Sequence, residues 1–185
     1  MITTRRTYMP LATYPEAAED HAVLAAARFA LSLGGALEVT TFSVDIPRVP
    51  SPLASLLIDV PGLVQAAEDK SKSECARLHG LLGGIGAPPA VNCTSRQVLL
   101  SGMLDAAAAE ARYYDLAVLP WSREEPSAQH LIEAVVFGAG RPAILVPGSA
   151  RPPARLDHVA IAWDASRVAA RALGDVLPLL AEDGR

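Results

Sequence analysis

Apolar positions along this chain follow two rhythms in alternation, one of period two or unbroken, the other of period 3.6. Tyr8 to Thr13 is a short apolar run closed by Tyr14-Pro15-Glu16, the pattern of a strand feeding a helix with Pro15 at or near the first turn. From Ala17 onward, Ala22, Ala25, Ala26, Phe29, Ala30 and Leu33 keep a helical period, and Gly34-Gly35 stops it. Leu37 to Val44 (LEVTTFSV) is rich in β-branched residues and predicts a second strand. A helix over Leu63 to Leu82, ended by Gly83-Gly84, precedes a short third strand over Val91 to Ser95. An alanine-rich helix over Leu100 to Tyr113 then leads to a fourth strand, Asp115 to Leu119. Ser127 to Phe137 is helical, Gly138-Ala139-Gly140 stops it, and Pro142 to Val146 (PAILV) is a fifth strand.

Strands alternating with helices imply parallel pairing through right-handed crossovers. The fourth strand is apolar throughout, as a strand covered on both faces must be. The expected fold class is therefore α/β, a three-layer sandwich.

Two stretches stand outside this alternation. Ile46-Pro47 through Pro61-Gly62 is punctuated by proline yet carries Leu53, Leu56, Leu57 and Ile58. It is too apolar for a solvated linker, and Val49 to Val64 is expected to pack on the domain or against another subunit. After residue 150, Arg151-Pro152-Pro153 resembles a linker, and His158 to Asp164 (HVAIAWD) predicts another buried strand. Ala165 to Leu180 then predicts a helix, with Asp164 or Ser166 available to cap it. Tyr8-Leu11 set against Val159-Ala162 places Ala12-Thr13 opposite Trp163-Asp164. The expected organisation is a domain over residues 1–150, a linker over 151–157, and the first strand and helix of a second repeat over 158–185. A lone strand–helix unit cannot bury both faces of its strand. It must add to the first sheet, swap into a neighbouring copy, or lack its remaining partners.

Composition narrows the class without changing the architecture. The chain has 185 residues, 51% hydrophobic and 19% charged, with net charge −4 and two cysteines. Such a chain can bury a core without disulfides or metal, and its cysteine usage points to a reducing, cytoplasmic compartment. The sixteen cations are dispersed, which argues against nucleic acid. No apolar run reaches the roughly 18 residues of a membrane span.

Asp115-Leu116-Ala117-Val118-Leu119, Arg141-Pro142-Ala143-Ile144-Leu145-Val146-Pro147 and Val159-Ala160-Ile161-Ala162-Trp163-Asp164-Ala165-Ser166 together resemble the universal stress protein family in its tandem two-domain form. The third segment is similar to the family's first strand and acidic turn. The resemblance implies a Rossmann-like, five-stranded parallel sheet in the order 3-2-1-4-5, with ligands at the switch point beyond strands one and four. It also implies edge-to-edge pairing through the last strand, so that Pro142 to Val146 is the expected edge of a homodimer or domain–domain contact.

ATP-binding members carry a glycine motif after strand four, because phosphate needs close approach of backbone N–H groups and a helix N-terminus. Here Pro120 and Arg123 fall at the first two glycines, Gln129 at the third and His130 at the hydroxyl position, in a loop four residues too short. Pro120 has no N–H to offer. Ala12-Thr13 replaces the acidic residue after strand one, whereas Asp164 keeps it in the second repeat. The resemblance thus implies a stress-response binding or interaction protein, not an enzyme, whose first domain does not hold ATP in the family manner and carries no cofactor. The alternative is an ATP- or AMP-binding regulator, or weak ATPase, using a remodelled crevice or the second repeat.

The ligand-contacting candidates are Ala12, Thr13, Ser122, Arg123, His130 and Asp164. Arg123 could pair with a phosphate or carboxylate, although Glu124 and Glu125 beside it oppose an anion. His130 could touch an anion or simply begin a surface helix, and Trp121 could stack on a base or cover the sheet end. Cys75 and His79, spaced i, i+4, could face one another, but no further ligand or orienting group accompanies them. His21, His79, His130 and His158 show no metal-ligand spacing, and no catalytic constellation is present in the sequence.

Overall fold

A computed structural model describes residues 5–48, 59–85, 90–122, 126–149, 151, 156–181 and 184, without the side chains of residues 126 and 127. Strand β1 spans Arg6–Ala12, β2 Ala36–Asp45, β3 Val91–Leu99, β4 Leu116–Trp121 and β5 Ala143–Pro147. They form one sheet in the order β3-β2-β1-β4-β5, and every pairing is parallel. The fold is therefore the expected three-layer α/β sandwich.

Helices α1 (Asp20–Ser32) and α2 (Val60–Gly83) cover one face. Helices α3 (Met103–Ala111, entered through a tight turn at Leu100–Gly102) and α4 (Pro126–Gly138) cover the other. Side chains alternate across the sheet accordingly. Met9, Leu11, Leu37, Val39, Leu116 and Val118 pack on α1 and α2, while Tyr8, Phe42, Val44, Ala117 and Leu119 pack on α3 and α4. This alternation gives the central strands their unbroken apolar runs.

Local chemistry sets several boundaries. Asp59 begins α2 by accepting from the Gly62 N–H at 3.0 Å. Gly35, which links α1 to β2, has φ +98, and a Cβ there would strike the Arg5 carbonyl, so only glycine fits. Helix α1 begins at Asp20 rather than near Pro15, which lies in the preceding bend. Strand β3 runs to Leu99, beyond the expected Ser95, because it pairs along β2 for its full length.

The C-terminal stretch departs most from expectation. Helix α5 forms over Arg167–Val176, and a short turn at Leu177–Leu179 follows it. The buried strand expected over His158 to Asp164 does not form; those residues are irregular and exposed. A helix closes its hydrogen bonds within itself, but a strand needs a neighbouring edge, and this segment has none. Most of the apolar stretch after β2, residues 49–58, and most of the proline linker lie outside the described residues.

Candidate functional site

The ladder between β1 and β4 contains only Thr7↔Leu116 and Tyr8↔Ala117. Beyond it the two central strands no longer pair with each other, though β1 stays paired to β2 and β4 to β5, and a crevice opens at the switch point of the sheet. Two prolines, Pro10 from β1 and Pro120 from β4, line it. Neither can donate to a ladder or to a ligand. Leu11, Ala12, Glu16 and Ala18, with Leu119, Ala128, Leu131 and Ile132, line the remainder.

The space bounded by these described residues is about 20 Å³, enough for roughly one water. Small-molecule sites ordinarily offer on the order of 300–1,000 Å³. Leu131 and Ile132, both nearly buried, bring α4 close against the strand ends.

Among the described residues, the charges around the crevice do not favour an anion. Glu16 lies in its lining. Helix α1 is preceded by Glu19, whose side chain makes no capping hydrogen bond, and starts with Asp20, which pairs with Arg77 of α2. The positive end of that helix is thus supplied with carboxylates of its own.

Each candidate residue can be placed. Ala12 lines the crevice. Thr13 is 1% exposed and turned toward α2. Its hydroxyl donates to the Phe42 carbonyl at 2.7 Å and lies 2.6 Å from Ser71 Oγ, which in turn accepts from the Val44 N–H at 3.0 Å. These contacts make Thr13 an internal tie between β1, β2 and α2. Ser122 is half-buried at the end of β4, and Arg123 lies outside the described residues. His130 is exposed near the start of α4, and Gln129 beside it donates to Glu133 at 2.7 Å.

Asp164 belongs to a different place, the exposed turn before α5. Its carboxylate accepts from the Ser166 N–H at 2.9 Å, and the Ser166 hydroxyl accepts from the Ala169 N–H at 3.1 Å, which makes Ser166 the cap. The Ser166 hydroxyl and N–H hold the Asp164 carboxyl below the usual carboxylate range. Between them, Ala165 has φ +61.

Cys75 is buried, and His79 hydrogen-bonds through Nε2 with Thr41 Oγ1 at 3.0 Å, tying α2 to β2. The pair is accounted for by packing. Burial raises the pKa of the half-buried Cys93 thiol, on β3, which keeps it protonated. On the opposite face, Thr40 donates to Glu110 at 2.7 Å, and the Tyr8 hydroxyl is buried near both without a hydrogen-bond partner. Burial, together with the nearby Glu110 carboxylate, raises the Tyr8 pKa and keeps the phenol neutral. Among the described residues no group of three or more His, Cys, Asp or Glu could hold a metal ion, and no helix is long and apolar enough to cross a membrane.

Sequence reasoning missed two elements of this site. Pro10 was visible as a proline inside an apolar run, a signal that one side of the strand lacks a ladder. Ser71, a serine amid charged residues of a helix, carried no signal of its partnership with Thr13.

No family model and no curated protein matches the chain. Among solved structures, the universal stress protein UspA from Lactobacillus plantarum is similar at 13% identity, covering 78% of this chain and 99% of that one, with TM-score 0.47. The hypothetical protein MJ0577, the subject of a structure-based functional assignment, is similar at 15% identity, covering 77% and 95%, with TM-score 0.48. A universal stress protein in complex with cAMP is similar at 15% identity, covering 80% and 100%, with TM-score 0.36.

Proposed function

We propose that this chain is a universal-stress-type binding and interaction protein of the cytoplasm, acting in stress response without catalysis, and that its first domain does not hold ATP in the family manner. One observation carries this reading: among the described residues, the crevice at the ends of β1 and β4 leaves room for about one water. The physical reasons agree with one another. Prolines stand where N–H donors are needed, the Thr13 hydroxyl is committed to Ser71 and Phe42, and Glu16 contributes the wrong charge. In this reading residues 1–150 form a scaffold, residues 158–185 begin a second repeat, and the edge strand at 142–146 pairs with another copy or domain.

Calorimetric titration with ATP and Mg²⁺ tests it. The expected result is no saturable heat. A ligand present at 100 times its dissociation constant would stabilise the fold by about 2.7 kcal/mol. A rise in melting temperature corresponding to that gain would overturn the proposal.

A second reading is favoured by the turn at Asp164-Ala165-Ser166. It is already formed, with the carboxylate ionised and α5 capped. An acidic turn of this kind suits an ATP- or AMP-binding second repeat. Under that reading, nucleotide binding is lost in Asp164→Ala and unaffected by Thr13→Val.

A further inference from the structure

The segment from His158 to Asp164 has the composition of a buried strand but not the surroundings of one. Val159, Ile161 and Trp163 alternate along it and are 36%, 43% and 56% exposed. Its backbone takes part in no ladder. Meanwhile β5 pairs with β4 alone, so its outer edge is open among the described residues, and Leu145 on it is 43% exposed. An apolar strand without an edge and an edge without a strand are present in the same chain.

The hand of the fold bars them from joining within one chain. The steps β1–α1–β2 and β2–α2–β3 move away from β4 with their helices on one face, and β4–α4–β5 moves the opposite way with its helix on the other. Both arrangements have the same hand, which in parallel crossovers is right-handed in about 98% of cases. After β5 the chain reaches Leu156, which packs on the α1–α2 face beside Leu179. Leu156 lies where the strands begin, since it bridges to Leu180 and Arg5 donates to the Pro178 carbonyl. A strand laid from there along its own β5 would step outward in the direction of β4 to β5 while crossing on the opposite face. That crossover is left-handed, a geometry found in about 2% of such connections. Starting from that end, the segment can run only parallel to β5, so an antiparallel return is also closed to it.

We infer that residues 158–164 of one copy add as a strand to the open β5 edge of a second copy, in a reciprocal strand exchange. The inference rests on the edge pairing proposed above and specifies what occupies the edge. The occupant is argued from chemistry: between His158 and Asp164 the segment has no charge, and β5 has none either. Main-chain pairing would satisfy the exposed amides, and Ile161 and Trp163 would cover apolar surface next to the groove of about 360 Å³ between α5 and the sheet, which Ile144 and Val159 line. Reciprocal exchange engages about a dozen positions from each copy, seven from residues 158–164 and five from β5.

The full chain is tested by light scattering and by disulfide trapping. The expected state is a dimer. Ile161→Asp and Ala162→Pro each convert it to a monomer with an unchanged domain unfolding profile, because neither position contributes to a ladder or core within its own chain. Mixing an L145C chain with an I161C chain yields a disulfide between the two, absent from wild type with its Cys75 and Cys93. A wild-type monomer, or a dimer indifferent to both substitutions, overturns the inference. Trapping of L145C with itself, and not with I161C, also overturns it but leaves direct edge pairing standing. A disulfide within a monomeric L145C/I161C chain places the segment on its own edge and overturns it too.

Discussion

Strand β1 leads toward helix α1 through a turn that begins at Ala12-Thr13, and the segment 158–164 leads into helix α5 through Asp164-Ala165-Ser166. The two units share an order of elements and differ in what holds them. In the first, β1 lies between β2 and β4, Tyr8 and Met9 are fully buried, and the turn is fixed by the Thr13–Ser71 contact. Its helix has no side-chain cap. In the second, the helix is capped by Ser166 and the turn by Asp164, yet the strand is absent and its apolar side chains face outward. Capping and turn chemistry act over three or four residues and survive without neighbours. A strand takes its stability from partners distant in sequence.

Deleting an apolar side chain in each unit should separate them most strongly. Met9→Ala in β1 is expected to cost about 2–5 kcal/mol, measured from urea unfolding. Ile161→Ala should stay within about 0.5 kcal/mol under dilute conditions, because that position is exposed. Equal costs would mean that 158–164 is part of the same cooperative core.

The tie beneath the first turn should show a smaller effect. Ser71→Ala leaves the Val44 N–H without its acceptor and removes the partner of Thr13, at an expected cost of about 1–3 kcal/mol. Adding Thr13→Val to it should cost less than the sum of the two single changes, as groups sharing one contact do. Strict additivity in that cycle would show that the hydroxyls act independently.

The smallest effects belong to the second turn. Ser166→Ala should weaken α5 by about 1 kcal/mol, seen as faster amide exchange in Ala169 to Leu173 without a change in global unfolding. Ala165→Gly should slow that exchange, because an alanine at φ +61 carries a cost of about 1–2 kcal/mol that glycine avoids. Loss of exchange protection in Ala165→Gly would contradict the positive φ.

The sheet was legible because central strands buried on both faces write themselves as apolar runs, and Gly34-Gly35 and Gly138-Ala139-Gly140 mark helix ends plainly. Five strands were placed within a few residues. The strand at 158–164 was misplaced for an equally physical reason: composition records a preference for an edge but not whether an edge is within reach. The hand of the crossovers decides that, and it becomes visible only once Leu156 is located on a face. At the site, Pro120 announced the missing donor directly. The closure of the crevice depends on Leu131 and Ile132 of α4 reaching the strand ends, a matter of packing that no local motif encodes. Thr13 read as a possible ligand contact because its inward partner lies 58 residues away on α2.

The central claim concerns the crevice at the ends of β1 and β4, and amide chemical shifts report on it residue by residue. ATP with Mg²⁺, added to millimolar concentration, should leave the amides of Leu11, Ala12, Leu119, Ala128, Leu131 and Ile132 in place. Saturable shifts confined to Asp164, Ala165 and Ser166 would agree with the claim and support the turn before α5 as the nucleotide site. Saturable shifts at Ala12 and Leu119 would contradict it, because a nucleotide would then occupy a space in which the described residues leave room for about one water.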